Sequence, residues 1–264
     1  MHHQKTAAFR HAPPHLLAAA YTLTCLVYAW RFNRYSSKTF SFLWEENGIS
    51  EAGAGRVETA MILLLLFSAG CIWSGKLRNL SLLGIIPMFF EMLSETFMPS
   101  AKYPLLYWAE WALRYTVPAA AIILLNPSER NRAWSMGLLR ISIALTFAAH
   151  GIKALLSDPH FLDFLLVFLR RINVQTVNEE WMLHAVHLIG IFDLCLAAHL
   201  LFFKLERNRA VLIWMATWGA ITALARITYG GWGNWHEVCI RSAHSIGPIT
   251  LLLLISIRRS ETSD

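Results

Sequence analysis

Apolar stretches and short polar ones alternate along this chain, and eight of the apolar stretches are long: residues 15–32, 57–73, 80–98, 104–125, 134–156, 183–203, 210–229 and 236–257. Each approaches the roughly 20 residues that a helix needs to cross a bilayer. The pattern therefore predicts an all-α polytopic membrane protein with eight transmembrane helices. Residues 1–14 end in Pro13 and Pro14 and read as a polar tail carrying His2, His3 and His11. Two further segments follow the first and fifth stretches, SSKTFSFLWEENGIS and SDPHFLDFLLVFLRR. The second has an apolar face interrupted by His160, Asp163, Arg170 and Arg171. Both are too short to span, which predicts interfacial or re-entrant helices on the outer side.

Polar residues inside the apolar stretches recur in a fixed order. In WHEVCIRSAHSIGP (235–248), Glu237, Arg241 and His244 are spaced four and seven apart and share one helical face. Trp108, Glu110 and Arg114 repeat the Trp-x-Glu-x-x-x-Arg spacing of Trp235, Glu237 and Arg241, and Pro118 or Pro248 follows. Thr24, Tyr28 and Arg31 match Thr146, His150 and Lys153 in spacing. Aligning Val57 with Val186 sets Glu58 on His187 and brings Lys76 near Lys204. Four landmarks in the same order predict two tandem four-helix units, 15–126 and 134–258. With an even number of spans each, the units lie parallel, related by an axis along the membrane normal.

Composition agrees with a lipid environment: 56% of residues are hydrophobic and 15% charged, against about a quarter charged in soluble domains. The net charge of +6 is distributed by side. On the amino-terminal side fall Lys5, Arg10, Lys76, Arg78, Arg130, Arg132, Lys204, Arg207, Arg209, Arg258 and Arg259. Arg34, Lys38, Arg56, Lys102, Arg170 and Arg171 fall opposite, mostly in longer loops. Short basic loops mark the cytoplasmic face, so both termini are expected there, in a bacterial inner membrane. The basic balance is then topogenic, the bilayer is the partner, and no nucleic acid is needed to explain it. Cys25, Cys71, Cys195 and Cys239 stand singly within spans, without a Cys-x-x-Cys, and read as small apolar residues. The first stretch is long and followed by others, as an uncleaved first helix would be rather than a signal peptide.

Ionisable residues inside a membrane are costly unless paired or wetted. Helical rise sets Glu91 and Arg114 at mid-membrane depth, and Asp193 about 15 Å below the start of its span. Two ion pairs are expected on that ground, Glu91 with Arg114 and Asp193 with Arg241. The same arithmetic gathers His150, Lys153, His184, His187, Arg226, His236, Glu237, Arg241 and His244 in the outer third of the second unit. Imidazole binds haem, copper, zinc or iron and shuttles protons near neutral pH, so His150, His184, His187, His236 and His244 are candidate metal ligands. No HExxH, paired Glu-x-x-His or CxxC framework accompanies them. Interfacial histidines with wet tips, and charge pairs that only lock helix register, are the competing readings.

The run LLRISIALTFAAHGIKALL, then HLIGIFDLCLA, then RAVLIWMATWGA and a final charged span, resembles the DoxX-like family of four-helix membrane proteins across residues 137–257. The matching features are Arg140 early in the first helix, Gly151 and Lys153 at its end, and Gly190 near Asp193 in the second. The first unit fits loosely, with no arginine at the place of Arg140. The resemblance implies a role in quinone-coupled sulfur oxidation or in membrane redox-stress complexes with partner subunits. Taken with the polar cluster, it gives an expected redox pocket. His150, His187, His244 and Arg226 would bind a quinone, haem or transition metal. Glu237 would accept protons, Arg241 and Lys153 would hold an anionic group, and Asp193 would lie in the path. Two other classes stay open: a transporter or channel lined by Glu91, Arg114, Asp193 and Arg241, and a non-catalytic scaffold glued by charge pairs.

Overall fold

A computed structural model describes residues 2–126, 128–171, 173–174 and 178–263 and, within these, the side chains of 12–261. The side chains of His2, His3, Lys5, Arg10 and His11 in the expected tail lie outside the described residues. The backbone of that segment forms the first turns of a helix, α1 (His2–Tyr35), with Pro13 and Pro14 inside it. Among the described residues, eleven more α-helices follow: α2 (Lys38–Ser41), α3 (Glu51–Cys71), α4 (Ile85–Phe97), α5 (Pro104–Glu110), α6 (Ala112–Leu124), α7 (Glu129–Leu155), α8 (Pro159–Arg171), α9 (Glu179–Phe202), α10 (Arg209–Gly230), α11 (Trp235–Ile240) and α12 (Ala243–Ser263). No strand occurs among the described residues.

Among the described residues, six segments are long and apolar enough to cross a membrane: α3, α4 with the 3-10 turn Arg78–Gly84 before it, α7, α9, α10, and the segment Trp232–Glu261 that contains α11 and most of α12. The protein is an integral membrane protein. The expected first and fourth crossings correspond to α1 and to the pair α5 and α6, which are outside this set of six.

The expected continuous helices over 104–125 and 236–257 are both interrupted. One break falls at Trp111 (φ −88°, ψ −4°) and the other at Arg241 (φ −87°, ψ 1°). In each, the helix resumes through a tight three-residue bond, Arg114 N–H to Trp111 carbonyl and His244 N–H to Arg241 carbonyl, both at 2.9 Å. Both stretches are apolar enough overall to read as single spans, so mean hydropathy alone does not register the interruption. Downstream prolines contribute to it: a proline supplies no N–H and crowds the carbonyl four residues back. For Pro118 that is the carbonyl of Arg114, and for Pro248 that of His244.

Helices α1, α6, α7 and α12 pack together at the centre, with α3 against α1, α9 against α7, and α10 against α12. Leu17, Tyr21, Phe32, Leu113, Val117, Leu139, Ile143, Phe147, Leu251 and Leu254 form one continuous core there. Burial separates the layers. About half of the apolar window is inside for α7 (56%) and for the α11–α12 segment (50%), against 28% to 39% for α3, α4, α9 and α10. The outward faces of those four carry Leu63, Phe90, Leu188, Phe192, Ile213 and Leu224, as a lipid-facing surface should.

The chain leaves α1 and α7 in the same way. Ser36 (φ 59°) and Ser157 (φ 54°) adopt left-handed backbone just past each helix end. A polar residue at the start of the next long helix then ties back: Glu58 of α3 accepts from the Ser37 N–H, and His187 Nε2 of α9 lies 3.0 Å from the Ser157 hydroxyl. Tight approach fixes α7 on α9, where a β-carbon on Gly151 would sit 2.8 Å from the Gly190 carbonyl oxygen.

Candidate functional site

The two helix breaks meet the two long central helices at one level of the bundle, and the charged side chains converge there. Glu110, the last residue of α5, reaches α7. The Lys153 ammonium donates to Glu110 Oε2 at 2.7 Å, and His150 Nε2 lies 3.4 Å from Oε1. The Thr146 hydroxyl approaches the Ala109 and Glu110 carbonyls at 3.4 Å each, so one face of α7 engages the end of α5. Lys153 also lies over the Tyr107 ring at 4.5 Å.

Glu237 of α11 reaches α1 correspondingly. Arg31 Nε is 3.9 Å from Glu237 Oε1, Arg241 donates to Oε2 at 2.5 Å, and His236 Nε2 stands 3.7 Å away. The second arm of Arg31 lies 3.7 Å from Glu91, whose other oxygen accepts from the Thr39 N–H at 3.2 Å. Both carboxylates are thereby held between helices distant in sequence.

Arg114 and His244 lie between these two groups, both buried. Arg114 donates to the Tyr28 hydroxyl at 2.6 Å and stacks over the Trp111 ring at 4.0 Å, leaving Nε without a hydrogen-bond partner. The His244 ring is 5.6 Å from that of His150, and its Nε2 is likewise unpartnered. The His244 ring meets His150 of the first group while its backbone N–H donates to the carbonyl of Arg241 in the second at 2.9 Å, which links the two groups into one cluster. A fifth cation, Arg226, stacks over Phe164 of the amphipathic helix α8 at 3.9 Å, beside Tyr229.

Neither expected ion pair forms. Glu91 pairs with Arg31 instead of Arg114, because α1 rather than α6 presents its cation to α4. Arg241 takes Glu237, one helical turn away, and that local partner displaces any across the bundle. Asp193 is buried on α9 with Oδ1 unpartnered, and among the described residues it forms no salt bridge.

The histidines expected to converge do so only in part. His150 and His244 touch; His236 packs among Trp30, Tyr35 and Trp235 and bonds the Gly233 carbonyl. His187 is committed to Ser157, and His184 is exposed, facing Glu180 at 3.9 Å. Among the described residues, no three His, Cys, Asp or Glu side chains come together as a metal-binding set.

Lys153, Glu237, Arg241, His150 and His244 thus belong to the cluster, with Arg226 at its edge. Sequence reasoning left out Arg31, Glu110 and Tyr28 as site residues. The signal for them was present: Arg31 and Tyr28 align with Lys153 and His150, and Glu110 with Glu237. Compared with known protein families, curated proteins and solved structures, the chain matches none of them.

Proposed function

We propose that the chain is a tandem pair of parallel four-helix units crossing the membrane eight times, and that it carries a small anionic solute between them. The observation that carries this reading is the reciprocity of the two carboxylates. Glu110 of the first unit engages Lys153 of the second, and Glu237 of the second engages Arg31 of the first. These four residues are aligned partners in the sequence repeat. Duplicated bundles commonly bind substrate at the interface between the repeats, on discontinuous helices.

The electrostatics favour an anion. Five cations (Arg31, Arg114, Lys153, Arg226 and Arg241) gather with four carboxylates, counting Glu95 one turn from Glu91. Arg114 and Arg226 rest on aromatic rings rather than on carboxylates. In this reading the cross-unit pairs hold the path closed, and an entering anion competes for their cations.

The test is flux in proteoliposomes across a panel of chloride, formate, phosphate and dicarboxylates. Accumulation of one of them should fall at least tenfold in Arg114→Gln and persist in Arg132→Gln. Absence of flux for the whole panel with folded protein would remove the reading. Both termini are assigned to the cytoplasm of a bacterial cell, and reporters fused to each end should score on the same side.

A redox role has one observation in its favour, the adjacent His150 and His244 rings with an unpartnered His244 nitrogen. A quinone carbonyl would suit that donor, and the resemblance to the DoxX-like family over 137–257 points the same way. An optical spectrum, metal analysis and quinone reduction by the purified protein decide it. No chromophore, no metal and no turnover would leave the transport reading alone.

A further inference from the structure

At the opposite end of the bundle from the charged cluster, a cleft of about 320 Å³ opens between the start of α7, the turn joining α9 to α10, and the end of α12. Its polar lining is Arg140, Lys204, Glu206 and Arg258, and its apolar wall is Ala133, Met136, Gly137 and Leu205. Three cations against one carboxylate leave the cleft with an excess of two positive charges. Arg140 is fixed in place because Nε donates to the Leu200 carbonyl at 2.7 Å and one terminal nitrogen to those of Leu201 and Phe203 at 2.8 and 2.6 Å. Arg258 lies 3.9 Å from Glu206, with Lys204 at the exposed rim.

The surroundings limit what can enter. The cleft sits at the ends of spanning helices, the level at which lipid headgroups lie, and it is lined by apolar residues as well as charged ones. The same end carries Lys76, Arg78, Arg130, Arg132, Arg207, Arg209 and Arg259 in its turns and helix ends. A ligand that is anionic at one end and apolar at the other fits both walls at once. Basic pockets between membrane helices hold phospholipid headgroups on this principle.

We propose that this cleft is a binding site for an anionic phospholipid, its phosphate between Arg140, Lys204 and Arg258 and its upper acyl chain along Met136 and Leu205. The site is separate from the charged cluster and does not depend on what that cluster transports. Gly137 supplies a clean way to close it. Gly137 lines the cleft and a β-carbon there would meet nothing within 4 Å, so a larger side chain can be placed at this wall without a β-carbon clash.

The full chain in mild detergent is titrated with short-chain phosphatidylglycerol and, separately, short-chain phosphatidylcholine, with bound lipid counted by native mass spectrometry. Phosphatidylglycerol should bind at least tenfold more tightly. The Lys204→Gln and Arg258→Gln variants should each weaken it about fivefold, as expected for one cation near a headgroup. Gly137→Leu should abolish binding with every charge still present, while its melting temperature reports that the bundle remains folded. Equal affinity for the two lipids, or undiminished phosphatidylglycerol binding by Gly137→Leu, would overturn the proposal. Displacement by millimolar inorganic phosphate would overturn it too, by reassigning the cleft to a soluble phosphoryl compound.

Discussion

Asp193 and Glu110 are both buried carboxyl groups, and their surroundings make opposite demands on mutation. Glu110 is held by Lys153 and His150. Glu110→Gln strands a buried ammonium, and breaking a buried pair from one side costs about 3–5 kcal/mol. The melting temperature in detergent should fall steeply. Glu261→Gln, at the partly exposed pair with Arg132, should cost under about 1 kcal/mol. Asp193 has no cation to strand. An unpartnered buried polar atom is itself a burden of about 1–3 kcal/mol, so Asp193→Leu should leave stability unchanged or raise it. If the variant melts lower by an amount like that of Glu110→Gln, Asp193 has a partner after all. Reading spacing along a helix identified these residues as buried and ionisable. It could not identify their partners, because periodicity gives depth and relative angle within one helix but not the rotation of that helix against its neighbours. That is why Glu91 was matched to Arg114 when Arg31 faces it.

Among the elements, the helices that hydropathy marked are present as helices, and the amphipathic segment after the fifth stretch is α8. What hydropathy could not resolve is continuity, since Trp111 and Arg241 lie within apolar or mixed runs that look spannable. The close contacts between helices were also only half visible. Gly151 and Gly190 stood out in sequence, but their meeting depends on α7 and α9 crossing where both lack a side chain. Gly151→Ala puts a β-carbon 2.8 Å from a backbone oxygen, a contact that only a shift of the helices relieves. Overpacking of that kind costs about 1–3 kcal/mol, so this substitution should lower the melting temperature by several degrees. Gly137→Ala, on the same helix in open space, should raise it slightly through helix propensity. Equal behaviour of the two variants would mean that α7 and α9 are further apart than described.

For the whole molecule the question is whether the two halves are held by two independent ion pairs or by one shared network. Glu110–Lys153 and Glu237–Arg31 cross between the halves in opposite senses; Arg114 lies within electrostatic reach of both carboxylates, and the His244 ring meets that of His150 beside Glu110. Independent pairs would give additive effects, as sites without shared partners do to within about 0.5 kcal/mol. A shared network predicts coupling instead. Once Glu110→Gln has stranded Lys153 and loosened Arg114, the further loss in Glu237→Gln should be smaller by about 1 kcal/mol or more, within the range seen for residues in one network. Exchanging the charges as Glu110→Lys with Lys153→Glu tests the geometry behind that number. The exchange should recover part of the stability lost by either single change, and the remainder measures how far Arg114 and His150 require a carboxylate on the α5 side. Under the transport reading, the exchanged protein should fold yet carry anions poorly, because the cation offered to the path would then project from the broken helix instead of the long one. Full recovery of both stability and flux would mean that the pair serves only to hold the halves together. The anion path would then have to run elsewhere.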